Sequence, residues 1–221
     1  MFARRSIITV VMLTALAVLG GCSEEDAIIT PVETPGLPFP DTPDKLMENF
    51  RTVYETMDLV EFPRLMDPAF VTFLKLTTIN AFPDVGPTLD VQEETRIHAR
   101  MFSRQNVEDP EGMAVQGIQA MAFQTLERRS EWEFSEPGDV MPNTLCAVYD
   151  VVILSDRGGI YSMLKTQGGI RFYVGYRDTV VNGRTRPFYR MLGQFDFTYD
   201  QKSGGAGTEN VAWGSLKALF R

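Results

Sequence analysis

Residues 187–199 read Pro-Phe-Tyr-Arg-Met-Leu-Gly-Gln-Phe-Asp-Phe-Thr-Tyr, and this stretch decides the fold class. Large apolar side chains recur in it with a period of two, which is the period of a β-strand. One face of this strand carries Tyr189, Met191, Phe195, Phe197 and Tyr199. The other face carries Arg190, Gln194, Asp196 and Thr198. The pattern predicts a strand with one buried face and one face toward water, as in antiparallel sheets.

The sequence before this stretch repeats the same alternation, interrupted by turn residues. Further strands are predicted at 117–134, 144–154, 159–166 and 169–177. The interruptions are Glu136-Pro-Gly, Asp156-Arg-Gly-Gly, Gln167-Gly-Gly and Asn182-Gly, all typical of hairpin connections. A series of hairpins predicts a long antiparallel sheet in the second half of the chain.

The first half has helical periodicity instead. Thr42 followed by Pro43 is a helix-start signal, and the helix is predicted to run to about Asp58. Its apolar face consists of Leu46, Phe50, Val53 and Met57. A short helix at 62–66, a first strand at 69–77 and a third helix opened by Asp90-Val-Gln-Glu follow. Trp213, Leu216 and Phe220 have the spacing of a short terminal helix. Helices followed by hairpins predict an α+β fold, with N-terminal helices packed on a long, curved antiparallel sheet.

This order of elements resembles the nuclear-transport-factor-two-like (SnoaL-like) cone fold over about residues 43–200. The segments that carry the resemblance are Leu46…Phe50…Tyr54…Met57-Asp58-Leu59 and Leu65-Met66-Asp67-Pro-Ala-Phe70. The resemblance implies a conical pocket between sheet and helices. Some members use this pocket for isomerase or cyclase chemistry with an Asp base and a Tyr or His nearby, and others are binding or dimerisation modules. Function must therefore be argued from the site.

The N-terminus has the pattern of an export signal. Arg4 and Arg5 precede an apolar stretch at 7–19, which is shorter than the ~20 residues that a membrane-spanning helix needs. Leu19-Gly20-Gly21-Cys22 resembles the lipobox of bacterial lipoproteins. The resemblance implies that residues 1–21 are a signal peptide, and that lipid on Cys22 anchors the protein to a membrane of the bacterial cell envelope. The whole chain resembles uncharacterised bacterial lipoproteins of the cone type, a resemblance that names no activity.

The residues after Cys22 predict a spacer. Residues 22–42 are rich in proline, which favours an extended tether and leaves 43–221 as one domain. Ser23 stands where an Asp retains enterobacterial lipoproteins in the inner membrane, so we expect the outer membrane. With Cys22 acylated, Cys146 is a lone thiol in an apolar run, and a disulfide framework is excluded.

The overall charge limits the partners. The chain has 21 basic and 29 acidic residues, and removal of residues 1–21, which contain Arg4 and Arg5 and no acidic residue, leaves a net charge of −10. An acidic surface disfavours nucleic acid and anionic lipid headgroups, because phosphate contacts need clustered basic side chains. The nearest approach to a basic cluster consists of Arg177, Arg184, Arg186 and Arg190, which we interpret as solvated strand ends and a hairpin tip.

Few residues suit catalysis. His98 is the only histidine, which excludes a His-pair metal site, and no Cys/His cluster or phosphate loop indicates a metal or cofactor. The candidates for an acid–base site are Asp196, His98 and Tyr54. The simpler interpretations are a half-buried helix position for His98 and an exposed or Arg-paired carboxylate for Asp196. Tyr173, Phe195 and Phe197 either line an apolar pocket or, as we favour, fill the core between sheet and helices.

Our leading hypothesis from the sequence is a non-catalytic binding or assembly domain on a lipid anchor. The alternative is a small-molecule isomerase or cyclase that uses Asp196, His98 and Tyr54. Two partners remain open at this point, a second copy bound through the sheet and a small apolar ligand. An open, apolar-lined cone with Asp196 and His98 converging inside would favour the enzyme, and a filled cone would argue against it.

Overall fold

The computed structural model describes residues 36–109, 112–159, 163–198 and 208–221. The predicted signal peptide, Cys22, most of the tether and Tyr199 lie outside these residues. The helices are α1 Pro43–Thr56, α2 Phe62–Leu65, α3 Leu76–Ala81, α4 Val91–Phe102 and α5 Trp213–Leu219, with a 3-10 turn at Pro83–Val85. The strands are β1 Met66–Phe73, β2 Thr88–Asp90, β3 Val107–Glu108, β4 Ala114–Val115, β5 Ala120–Arg128, β6 Glu133–Phe134, β7 Leu145–Asp156, β8 Met163–Val181, β9 Arg184–Thr198 and β10 Thr208–Asn210.

The main sheet has the strand order β2-β1-β9-β8-β7-β5, with β6 beside β7 and β10 beside β8. Neighbouring strands are antiparallel except for β1 with β9 and β10 with β8, which are parallel. The buried side of α1 packs on this sheet, where the Phe50 ring lies 5.2 Å from Phe172 of β8 and 5.8 Å from Phe123 of β5. The predicted α+β class, with N-terminal helices on a mostly antiparallel sheet, is confirmed.

The predicted helix starts are also confirmed. Thr42 Oγ1 accepts a hydrogen bond from the Lys45 amide at 3.1 Å at the start of α1. Asp90 accepts hydrogen bonds from the amides of Gln92 and Glu93, both at 2.9 Å, at the start of α4. Both caps satisfy amides that have no partner inside the helix, so they fix these starts locally.

Three of the predicted strand boundaries are wrong. Gln167-Gly-Gly is not a turn, because β8 continues through it and Gly168 pairs with both β7 and β9. The pairing with both neighbouring strands is continuous at Gly168 and Gly169, so these glycines do not reverse the chain. The strand predicted at 69–77 ends at Phe73, because the chain turns into α3, and the one predicted at 117–134 divides into β5 and β6. The Asn182-Gly183 hairpin is confirmed, with positive φ at both residues.

A β-bulge in β9 overturns the predicted faces of residues 187–199. Val174 of β8 pairs with Met191 and Tyr173 pairs with Gly193, so Leu192 is an extra residue on β9. One extra residue reverses which side chains point inward from there on. The predicted polar face is therefore buried: Gln194, Asp196 and Thr198 are at most 2% exposed, whereas Phe197 is 40% exposed.

Contacts of the fold begin before the predicted boundary at residue 42. The Pro38 carbonyl accepts a hydrogen bond from Asn49 Nδ2 at 2.8 Å, and the Pro40 carbonyl accepts one from the Tyr189 amide at 2.9 Å. The end of the predicted tether is thus part of the domain. No helix in the described ranges is long and apolar enough to cross a membrane.

Replacing Gly193 by Ala should destabilise the protein by about 1–3 kcal/mol, because a Cβ there would lie 2.8 Å from the Val71 carbonyl oxygen and 2.6 Å from Met141 Sδ. Urea unfolding measures the change. Gly138→Ala is the control, since a Cβ at Gly138 meets nothing within 4 Å. Equal stability of Gly193→Ala and the parent would contradict the close approach of β1 and β9 at the bulge.

Candidate functional site

The C-terminal segment returns into the space between the helices and the sheet. The side chains of Trp213, Leu216 and Phe220 are fully buried and belong to the main hydrophobic core. The Trp213 ring lies 5.5 Å from Tyr54 of α1 and 6.5 Å from His98 of α4. Helix α5 therefore occupies the space between the helices and the sheet.

Asp196 and Thr198 of β9 fix the start of α5. The Asp196 carboxylate accepts hydrogen bonds from the Gly214 amide at 2.7 Å and from the Thr198 amide at 2.8 Å. Thr198 Oγ1 donates to Asp196 and accepts from the Trp213 amide at 2.7 Å. A carboxylate at the amino end of a helix is favourable, because it pairs with free amides and the positive end of the helix dipole. Asp196 thus acts as a helix cap supplied by a neighbouring strand.

A buried ion pair holds the middle of α5. Lys217 Nζ donates to Glu94 Oε1 of α4 at 2.5 Å, and the two side chains are 0% and 1% exposed. Thr72 of β1 also donates to Glu94 Oε1, and Gln194 Nε2 of β9 lies 3.4 Å from it. The Lys217 ammonium lies 5.1 Å from the centre of the Trp213 ring. Four separate elements meet at this carboxylate.

The pair alters the pKa of both groups. Burial alone would raise the pKa of Glu94, but Lys217, His98 and the hydrogen bond from Thr72 outweigh it and lower that pKa below its ordinary value. Burial lowers the pKa of Lys217, and the charge of Glu94 opposes that effect. Glu94 is therefore an ionised carboxylate whose charge is compensated inside the protein.

His98 and Tyr54 form a second buried contact beside Glu94. His98 Nδ1 lies 2.7 Å from the Glu94 carbonyl oxygen, which can only accept, so Nδ1 carries the proton. His98 Nε2 consequently accepts from the Tyr54 hydroxyl at 2.7 Å. Burial, opposed by Glu94, lowers the pKa of His98 to about 4, and burial raises the pKa of Tyr54 well above its ordinary value. His98 is neutral at pH 7, and both of its ring nitrogens are occupied.

Of the predicted acid–base residues, the structure brings Tyr54 and His98 together, and Asp196 lies apart from both at the start of α5. The expectation that Asp196 is exposed or paired with an arginine is wrong, because the bulge in β9 turns it inward. His98, expected to be half-buried, is fully buried.

The three predicted aromatic residues lie on the side of the sheet away from the helices. Tyr173 is buried there and donates from its hydroxyl to Asp139, and Phe195 and Phe197 contact each other with ring centres 4.4 Å apart. None of them belongs to the core between sheet and helices, so the interpretation that we favoured from the sequence is wrong. For Phe195 and Phe197 the reason is again the bulge.

Glu94 and Lys217 were missed from the sequence, although each carries a signal. Glu94 precedes Ile97 and His98 by three and four residues, so it shares their helix face. Lys217 lies four residues after Trp213 and three before Phe220, so it shares their helix face as well. A charged residue on each of two apolar stripes, with opposite signs, indicates a buried pair.

The outer side of the sheet has a concave region of about 700 Å³. Its lining includes Phe134, Asp139, Cys146 and Arg171. Arg171 pairs with Asp139 at 2.5 Å, and burial raises the pKa of the Cys146 thiol, which makes it a poor nucleophile. The described ranges contain no group of three His, Cys, Asp or Glu side chains placed to bind a metal.

Comparison with known proteins finds similarity in solved structures. No protein-family model and no curated protein sequence matches the chain. AusH from Aspergillus nidulans is similar at 11% identity over 76% of this chain and 92% of that one, with a TM-score of 0.41. A provisionally assigned aromatic ring hydroxylase from Novosphingobium aromaticivorans has 11% identity over 69% and 82%, with a TM-score of 0.38. An NTF2-like protein of unknown function in nutrient uptake from Rhodospirillum rubrum has 12% identity over 68% and 92%, with a TM-score of 0.34. These likenesses concern the fold alone.

Separate Glu94→Gln and Lys217→Met substitutions should each cost about 3–5 kcal/mol, because each leaves one buried charge without its partner. The double variant should lose clearly less than the sum of the two. Urea unfolding of all four proteins measures the coupling. Asp150→Asn with Arg129→Met is the matched control, an exposed pair worth at most about 1 kcal/mol. Additive losses at Glu94 and Lys217 would contradict a coupled pair.

The pKa of His98 predicts how stability depends on pH. The unfolded chain takes up a proton at His98 below about pH 6.5, whereas the folded protein does so only near pH 4. The contribution of His98 is therefore complete above about pH 6.5 and decreases toward pH 4, at up to about 1.4 kcal/mol per pH unit. Unfolding free energies measured across this range should show a shallower slope in His98→Gln than in Tyr54→Phe, which retains the histidine. Parallel slopes would contradict a neutral His98.

Proposed function

We propose that this protein is a lipid-anchored lipoprotein of the bacterial cell envelope whose domain is a non-catalytic binding or assembly module. The observation that supports a non-catalytic module is that the space between helices and sheet is already occupied. Trp213, Leu216, Lys217 and Phe220 of the C-terminal segment are each 0% exposed and fill the space between helices and sheet. Because the chain's own side chains fill the space between helices and sheet, a partner of this domain would bind to its outer surface.

The state of the acid–base candidates supports the same proposal. A general acid or base must come within hydrogen-bond reach of its substrate. Tyr54 and His98 are 1% and 0% exposed and are bonded to each other, and Asp196 is bonded to the start of α5. Each group has a structural role that explains why a polar side chain is buried there.

The alternative is a small-molecule isomerase or cyclase, and one observation favours it. Tyr54, His98 and the Glu94 carboxylate lie within one buried cluster, which is a chemically competent set of groups. Substrate could reach them only if α5 left the interior, and that would expose Trp213 and break the Glu94–Lys217 pair. We therefore place this alternative second.

The anchor is the first half of the proposal. It is supported by the sequence of residues 1–22 and by the prolines that follow Cys22. Ser23 favours the outer membrane over the inner. The proposed binding partners of the outer surface are a second copy of the chain, bound through the sheet, and a small apolar ligand.

Replacing Cys22 by Ser should abolish incorporation of labelled fatty acid and release the protein into the soluble fraction, because the thiol is the acceptor for the lipid. Cys146→Ala is the control, since this change leaves Cys22 in place and should retain both label and membrane association. Labelling of Cys22→Ser at the level of the parent would overturn the proposed anchor.

A further inference from the structure

One end of the long β8–β9 hairpin carries a cluster of arginines on aromatic rings. The Arg186 guanidinium lies 4.7 Å from the Phe39 ring, and those of Arg177 and Arg190 lie 5.9 Å and 5.2 Å from the Phe188 ring. The two rings pack with centres 5.4 Å apart. We call these five residues the arginine cluster.

The positive charge of the arginine cluster is only partly compensated. Arg186 pairs with Asp41, but Arg177 and Arg190 have no carboxylate oxygen within 4.0 Å in the part of the chain described here. Burial and the neighbouring charge of Arg177 lower the pKa of Arg190, and the charge of Asp67 opposes this. Arg190 Nε is buried without a hydrogen-bond partner among the described residues. Because the guanidinium groups of Arg177 and Arg190 repel each other, an anionic partner bound beside them would be stabilised.

The arginine cluster also lies where the chain leaves the domain toward Cys22. Phe39 belongs both to the cluster and to residues 36–41, the first part of the chain that the structure describes. The remaining connection, residues 22–35, spans roughly 40 Å at the ~3 Å per residue of an extended proline-rich chain. Any lipid on Cys22 is therefore tethered closest to this end of the domain.

On the opposite side of the β8–β9 ribbon from the arginine cluster, aromatic side chains reach solvent, because Tyr176 and Tyr189 alternate with Arg177 and Phe188 along the two strands. Tyr176 is 62% exposed and its ring lies 5.3 Å from Tyr189. Tyrosine and arginine both suit the boundary of a membrane, because each combines an apolar stem or ring with a polar end.

We propose that the arginine cluster docks on the phosphate headgroups of an anionic lipid surface, so that the domain sits with this end toward the membrane. The inference builds on the proposed anchor, which supplies the proximity. The rest of the domain is acidic and is repelled by the same surface, so attraction at one end and repulsion elsewhere give a defined orientation. The arginines that the sequence analysis interpreted as a solvated hairpin tip thereby acquire a partner.

The test uses the chain 23–221, which lacks Cys22 and the predicted signal but retains every described residue. Co-sedimentation is measured with vesicles of phosphatidylcholine alone and of phosphatidylcholine mixed with phosphatidylglycerol. We expect binding to the mixed vesicles only, decreasing as salt is raised. Arg177→Gln/Arg190→Gln should weaken it about thirtyfold, which corresponds to about 1 kcal/mol for each cationic side chain at an anionic surface.

Arg96→Gln/Arg129→Gln is the matched control, because it removes the same charge from two exposed arginines outside the cluster. The control should retain most of the binding, and circular dichroism checks that both double variants are folded.

Equal losses in the two variants, or no preference for phosphatidylglycerol, would overturn the proposal. It is also overturned if inorganic phosphate at constant ionic strength displaces the vesicles, which would indicate a site for a free anion. Tighter binding of single-stranded RNA than of vesicles would likewise contradict a lipid surface.

The outcome is independent of the anchor, since the protein used carries no Cys22. Failure of vesicle binding with normal lipid labelling of the full chain rejects the docking surface and leaves the lipoprotein proposal intact. Loss of lipid labelling of the full chain, with normal vesicle binding by residues 23–221, rejects the lipoprotein proposal and leaves the docking surface intact.

Discussion

The buried pair of Glu94 and Lys217 is the interaction on which the rest of the interior depends. It connects helix α4 to helix α5, and the same carboxylate receives Thr72 from β1 and approaches Gln194 of β9. Removing two charges from water is costly unless each is fully compensated, so the arrangement tolerates little displacement of any of these elements. The C-terminal segment is consequently an integral part of the core.

The bulge at Leu192 makes that arrangement possible. Without the extra residue, β9 would present Phe195 and Phe197 to the interior and Asp196 to solvent. With it, Gln194, Asp196 and Thr198 point inward and supply hydrogen-bond partners for Glu94 and for the first amides of α5. The polar residues of the last long strand thus serve the attachment of a helix, and aromatic residues displaced to the other side contribute to the outer surface.

These two features change where function is to be sought. The resemblance seen in the sequence implied an interior pocket, but the chain's own Trp213, Leu216, Lys217 and Phe220 fill the space between helices and sheet. The outer surface instead has two distinct features. One is the concave region near Cys146, and the other is the arginine cluster, which lies where residues 36–41 join the domain. We propose that this basic end of an acidic protein, beside the predicted tether, orients the domain at a membrane.

The sequence by itself determined the elements that depend on neighbours in the chain. The caps at Thr42 and Asp90, the Asn182-Gly183 hairpin, the short helix before β1 and the α+β order follow from residues within a few positions of one another. Tertiary structure alone decided which side of β9 faces inward, because the bulge is set by pairing with β8 and by the close approach of Val71 to Gly193. It also decided that β8 passes through Gly168-Gly169, because strands on both sides supply hydrogen bonds there. Glu94 and Lys217, 123 residues apart, were brought together for the same reason: only the packed fold can compensate each charge with the other.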